Sequence, residues 1–161
     1  MIRKEISLFL KNVPGELGIL ASMLKDENIN IDALAIQDAS AYVSELFNAR
    51  GKSLKRIAST ESYDSIRRDS NEYALIRFLV SDVERTVELM SHSDYIFDIN
   101  PVITVHLENK PGALAEVTST LGAEKINISY VYVTTGGLCE ECVTVVGTDE
   151  IDRAAAVLGC Q

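Results

Sequence analysis

The sequence predicts an α+β fold: two βαββαβ units packed side by side, with antiparallel sheets and the helices on one face. Three observations lead there. A twenty-residue stretch recurs almost intact, strand and helix periods follow the same order in both halves, and a 47% hydrophobic composition over 161 residues supplies one or two small cores.

The repeat organises the chain. "NVPGEL" at 12–17 returns as "NKPGAL" at 109–114. With a shift of 97 positions, Asn12, Pro14, Gly15, Leu17, Ser22, Leu24, Glu27, Ile29, Asn30 and Ile31 all recur, ten matches in twenty places. Farther on, "DVER" at 82–85 corresponds to "EIDR" at 150–153 with a shift of only 68, so the first copy carries an insertion of about 29 residues. The units are therefore expected at 1–100, with the insertion at about 40–70, and at 101–161.

Each element has its own signal. "EISLFLKN" alternates, with Ile6, Leu8 and Leu10 on one face, and reads as a strand. A proline follows near a first helical position, where its missing N–H does no harm. Leu17, Leu20, Ala21 and Leu24 then keep helical spacing. "INIDALAIQD" returns to strand chemistry, and a third strand is expected at roughly 72–80. A helix starts near Asp82, with Val83, Val87 and Met90 inward, and "YIFDI" at 95–99 closes the unit as a fourth strand. The second unit copies this order: Ile103, Val105 and Leu107 on a strand, Leu114, Val117 and Leu121 on a helix, then "INISYVYVTT", a strand near 141–147 and a helix near Asp149. Its fourth strand is a few residues long or absent, so a sheet edge there is expected to be exposed or covered by a partner. The order is the ferredoxin-like arrangement.

Composition excludes several functions. The net charge of -9 repels phosphate backbones, so no nucleic acid is expected as a direct partner. No run of about 18 apolar residues offers a membrane span. The segment "MIRKEISLFLKN" is broken by Glu5 and Lys11 and lacks a cleavage site, so no signal peptide is expected. Three cysteines make no paired disulfide framework, which points to the cytoplasm. Cys139 and Cys142 are ordinary thiols, a redox pair, or ligands of a metal shared across a dimer; a zinc site wants four ligands, and only Cys160 remains to join them. No metal site and no cofactor are assigned. His92 and His106 have no nucleophile or carboxylate assigned to them, and the acidic residues are scattered, so no enzyme is expected. The basic residues between Arg50 and Arg68 form a solvated helical surface or an arm for an acidic partner. Within the insertion, Tyr42, Leu46, Ala49, Leu54 and Ile57 suggest one or two short helices, serving as a lid or as a dimer contact.

The repeated turn carries the functional signal. Asn12 and Asn109 stand in or next to the cap position, where a side-chain oxygen satisfies orphan amides. Gly15 and Gly112 remove the Cβ and let a foreign group approach the backbone. A helix N-terminus offers N–H donors and partial positive charge to a carboxylate. The purely structural reading has Asn capping, Pro starting the helix and Gly allowing packing; two copies with the same Asn, Pro, Gly and Leu, each followed by a later Asn in "INI", shift the balance toward binding.

The pattern N-x-P-G-x-L, an amphipathic helix, and then "NI" entering a strand resembles the ACT domain, a small-molecule regulatory module. The likeness covers almost the whole chain as a tandem pair, excepting the insertion. It implies a free amino acid held between two copies, the loop of one facing the second-strand Asn of the other. One site would use Asn12, Pro14, Gly15, Glu16 and Leu17 with Asn127; the other Asn109, Pro111, Gly112, Ala113 and Leu114 with Asn30. Amides would take the ligand carboxylate, and Asn carbonyls would accept from its ammonium. Some such sites place a polar side chain where Leu10 and Leu107 stand here, which tilts the preference toward apolar amino acids. The resemblance further implies a non-catalytic regulator, a homodimer, and an enzyme of amino-acid metabolism as partner. The alternative is an interaction subunit without its own ligand, as in the small subunit of acetolactate synthase, which resembles this chain in a single repeat only. The acidic charge and the lack of a helix-turn-helix segment argue against a transcriptional regulator.

Overall fold

The computed structural model describes residues 1–38, 73–93, 95–135 and 141–160. In chain order the elements are β1 (Ile2–Lys11), α1 (Glu16–Asp26), β2 (Ile31–Asp38), β3 (Tyr73–Val80), α2 (Val83–His92), β4 (Phe97–Glu108), α3 (Ala113–Ala123), β5 (Tyr130–Thr135), β6 (Glu141–Gly147) and α4 (Ile151–Val157). The strands form one antiparallel sheet in the order β2-β3-β1-β4-β6-β5. The expected α+β fold of two ferredoxin-like units is present. The insertion expected at 40–70 and Cys139 lie outside the described residues.

Alternation puts every helix on one face. Ile6, Leu8 and Leu10 of β1 and Ile76, Phe78 and Val80 of β3 pack with Leu20 and Leu24 of α1 and Met90 of α2. Ile103 of β4 and Val146 of β6 pack with Val117 and Leu121 of α3 and Ala154 and Ala155 of α4. Ile2 is paired with Ile103 and Ile6 with Ile99, and directly paired residues project to the same side, so both cores lie on one side of a shared sheet. Within α2 the inward centre is Thr86, not Val87: Thr86 is fully buried and its Oγ1 donates to the Asp82 carbonyl at 2.6 Å. That helix starts next to Asp82 as expected, and Asp82 caps it, its carboxylate accepting from the Arg85 amide at 2.9 Å. The helix expected near Asp149 begins at Ile151, with Glu150 at its cap position and no side-chain cap bond.

The join between the units differs from the expectation in an informative way. The fourth strand of the first unit and the first strand of the second are one continuous strand, β4. Ile2–Leu8 of β1 pairs with Phe97–Ile103 of β4, while β6 pairs with Ile103–Glu108. The place expected for the second unit's fourth strand is taken, as far as Thr104, by the start of β1: the Met1 ammonium donates to the Thr104 carbonyl and the Thr104 amide to the Met1 carbonyl. The edge expected to be exposed or partner-covered is thus covered from within the chain only up to Thr104; among the described residues no strand pairs with Val105–Glu108 on that side. Pro101 is tolerated mid-strand because β6 has already ended there, leaving β4 with one neighbour and no ladder partner for the missing N–H on that side. The outer edges of the sheet are β2 and β5.

The face away from the helices has a core of its own. Ala33, Leu79, Val102 and Val145 cluster there with Tyr130 and Tyr132, and β2 and β5 touch, so the sheet curls away from the helices. Tyr130 lies flat over Gly147, its directly paired residue; a Cβ on Gly147 would stand 2.3 Å from the ring. Gly147→Ala is therefore expected to displace the ring and lower stability by about 1–3 kcal/mol, read as a lower midpoint in urea. An unchanged midpoint would mean the ring has room to move.

Candidate functional site

The two repeated turns are built identically. In the first, the Glu16 amide donates to the Val13 carbonyl at 3.4 Å, and Gly15 adopts φ 99°, ψ -23°. In the second, the Ala113 amide donates to the Lys110 carbonyl at 3.3 Å, and Gly112 adopts φ 94°, ψ -20°. Proline followed by a left-handed glycine inside such a bond is a type II β-turn. This corrects the placement of Pro14 and Pro111 at a first helical position: they hold the second position of the turn, and the helices start after the glycines. It also corrects the capping role of Asn12 and Asn109. Gly15 and Gly112 occupy the cap positions, and neither α1 nor α3 has a side-chain cap hydrogen bond. The Glu16 and Ala113 amides are spent inside the turns, and no side chain caps the amides that follow them. A Cβ at either glycine would meet nothing within 4 Å, so both turns are open on that side.

The repeat extends to the far ends of these helices. Asn28 and Lys125, 97 positions apart, both take a left-handed conformation, φ 57° and 59°. The Ile29 and Ile126 amides reach back to Leu24 and Leu121, a Schellman closure in each copy. Asn30 follows, exposed, its amide and carbonyl bonded to Ser81 and its Nδ2 donating to Asp32 at 2.8 Å. Asn127 is exposed too, its carbonyl accepting from Thr148 Oγ1 at 2.7 Å. Glu16 is half-buried, Ala113 is buried, and Leu17 and Leu114 are exposed.

The chain does not bring each turn to the Asn assigned to it. Because β1 and β4 run antiparallel, the two turns stand at opposite ends of the sheet. Asn30 and Asn127 both lie near its middle, just beyond Val80 and Gly147. Counting along the ladders, each is about seven residues, roughly 23 Å, from its turn. Beside the first turn is instead a cavity of about 630 Å³, lined by Phe9, Lys11, Glu16, Tyr73, Tyr95 and Ile96 among others. Burial first, and then the Glu16 charge, push the Tyr95 phenol up. The repeat positions of Lys11 and Glu16 are Glu108 and Ala113, and Glu108 is ion-paired with Lys110, so the two turns differ in charge.

Sequence reasoning missed a buried cluster that ties the units together. Glu5 of β1 is 0% exposed; it accepts from the Tyr130 hydroxyl at 2.6 Å and the Tyr132 hydroxyl at 2.8 Å. Arg77 Nε is 4.0 Å from the same carboxylate, and its guanidinium stacks 4.2 Å from the Tyr130 ring centre. Burial raises the Glu5 carboxyl above its ordinary value, while these donors pull it back. The signal was present in "SYVYV", whose tyrosines alternate on one face, but nothing in the sequence said that this face curls onto Glu5. Cys142 is buried and Cys160 partly buried, both free thiols, and no cluster of metal-ligating side chains occurs among the described residues.

Residues 50–160 match the family described as ACT domain pair. The chain belongs to that family. Its whole length also aligns with solved structures. Protein BT0572 from Bacteroides thetaiotaomicron is 25% identical, with a TM-score of 0.71 over 99% of this ACT pair and 88% of that chain. The regulatory subunits of aspartate kinase from Thermus thermophilus and Thermus flavus share the fold at 11% and 13% identity, with TM-scores of 0.58 and 0.52, each over 99% of this ACT pair and 95% of that chain. Among curated proteins none matches.

Proposed function

We propose that this ACT pair is a non-catalytic regulatory protein that binds a free amino acid at its proline-glycine turns and passes the event to its own association or to a partner enzyme. The observation that carries this reading is the duplicated turn: a left-handed glycine with open space beside it, opening a helix whose first amides have no side-chain cap. Such an end suits a carboxylate. Since each turn is far from its Asn within one chain, the crevice joining Asn12–Leu17 to Asn127, or Asn109–Leu114 to Asn30, is formed between two copies. Ligand then favours the dimer by linkage, because only the paired arrangement completes a site. An enzyme of amino-acid metabolism as partner is supported by the fold shared with aspartate kinase regulatory subunits.

Thermal unfolding in the presence of each proteinogenic amino acid, paired with sedimentation velocity, tests this. A ligand at a hundred times its Kd adds about 2.7 kcal/mol, which for a chain of this length raises Tm by roughly 5–10 °C. At least one amino acid is expected to do so at millimolar concentration and to shift the protein toward dimer. If none moves either reading, the sensing role fails.

A further inference from the structure

The sheet face turned away from the helices carries a polar row that the repeat does not explain. Arg77 on β3, Ser7 on β1 and Asp98 on β4 are directly paired across three neighbouring strands. They project to the same face, and with strands about 4.8 Å apart the Arg77 and Asp98 Cα atoms stand roughly 10 Å apart across the small Ser7. The positions matching Arg77 and Ser7 in the second unit are Val145 and Thr104, so the shared fold does not require this row. All three residues line one cavity of about 800 Å³ between the units, walled on the far side by Tyr130 and Thr148.

The chemistry of the row is specific. Arg77 is held in place by stacking on Tyr130, with a side chain 20% exposed. The Glu5 carboxylate beneath it is shared with two tyrosine hydroxyls, so it offsets the guanidinium charge only in part. Asp98 is oriented by the Ile99 amide at 2.9 Å and by Asn100 Nδ2 at 3.4 Å. One step along the same face, Phe9 is paired with Leu75, and both line the cavity; Phe9 is 42% exposed despite its aromatic ring. A planar cationic fork, a carboxylate and an apolar end, all within one cleft, match a small zwitterion with an apolar tail.

We infer that this inter-unit cavity is a binding site, separate from the turns, for an α-amino acid with an apolar side chain. Its carboxylate rests on Arg77, its ammonium on Asp98, and its side chain on Phe9 and Leu75. Calorimetric titration of the full chain with leucine, 4-methylpentanoate and 3-methylbutylamine tests this. Leucine is expected to bind, and each analogue, lacking one charge, to bind at least about tenfold more weakly. Asp98→Asn keeps an acceptor for the Ile99 amide, and Arg77→Lys keeps the charge while losing the fork; each is expected to weaken leucine binding at least about tenfold. No leucine binding to the unaltered chain, or affinity unchanged in both variants, overturns the inference. Binding that survives Asp98→Asn and Arg77→Lys but is lost in Gly15→Val with Gly112→Val would overturn this site and leave the turn sites standing. Loss of one of two classes of leucine sites in Asp98→Asn supports both.

Discussion

Replacing Tyr130 and Tyr132 together with phenylalanine is expected to lower the unfolding free energy by about 3–5 kcal/mol. Both hydroxyls donate to a carboxylate that is 0% exposed, and without them Glu5 keeps Arg77, 4.0 Å away, and the Ser7 side chain. Hydrogen bonds to a charged acceptor contribute about 1.5–3 kcal/mol each, and the two share one acceptor, so the losses do not simply add. Burial raises both phenols and the neighbouring Glu5 charge raises them further, so they stay protonated donors across the working range. A four-corner cycle with Glu5→Gln, read by urea unfolding at pH 7, measures the coupling. Strictly additive costs would show that the cluster does not act as a unit. The cluster also sets a pH dependence of known sign. The folded Glu5 carboxyl lies above its ordinary 4.5, so between these values the native state holds a proton that the unfolded chain has lost. Its contribution is complete below about 4.5 and is lost as pH rises through the folded value. Wild-type stability relative to Glu5→Gln is expected to fall with rising pH; a rise would contradict the assignment.

Gly15→Val and Gly112→Val are each expected to lower stability by about 1–3 kcal/mol and to remove amino-acid binding at the turn concerned. The cost is conformational. The glycines sit at φ +99° and +94°, where side chains with a Cβ are strained, yet a Cβ at either place meets nothing within 4 Å. Gly→Ala should therefore cost nearly as much as Gly→Val in stability, because crowding inside the fold is not the cause. Thermal melts of the four single variants check this, and a cost confined to valine would point to steric contact instead. Calorimetry on whichever variants remain folded gives the binding half of the prediction, and retained affinity in the double variant would place the ligand elsewhere.

Much of the fold was legible because the two halves repeat. Alternation in Ile6, Leu8 and Leu10, and in Ile103, Val105 and Leu107, placed both first strands, and Leu20 and Leu24 gave the inward side of α1. What escaped was long-range. Fusion of 95–99 with 103–108 into β4 depends on β1 pairing with its first half and β6 with its second, which no local period encodes. Thr86 escaped because a buried hydroxyl bonded to Asp82 reads as polar in sequence. At the site, proline and glycine marked the turn, but its type rests on the sign of φ at Gly15 and Gly112, which moved the helix start past the prolines. The separation of Asn127 from the first turn follows from strand direction in the assembled sheet. Glu5 looked like a solvated charge until the sheet's curl brought Tyr130 and Tyr132 over it.

The most direct test of the regulatory reading is a crystal structure of the chain grown with the amino acid that most raises its Tm. Two copies related by a twofold are expected, with ligand density at a proline-glycine turn of one, its carboxylate at the helix start and its ammonium beside Asn30 or Asn127 of the other. Turns filled by the chain's own atoms, or both turns in contact with nothing but solvent while the ligand lies elsewhere, would contradict it.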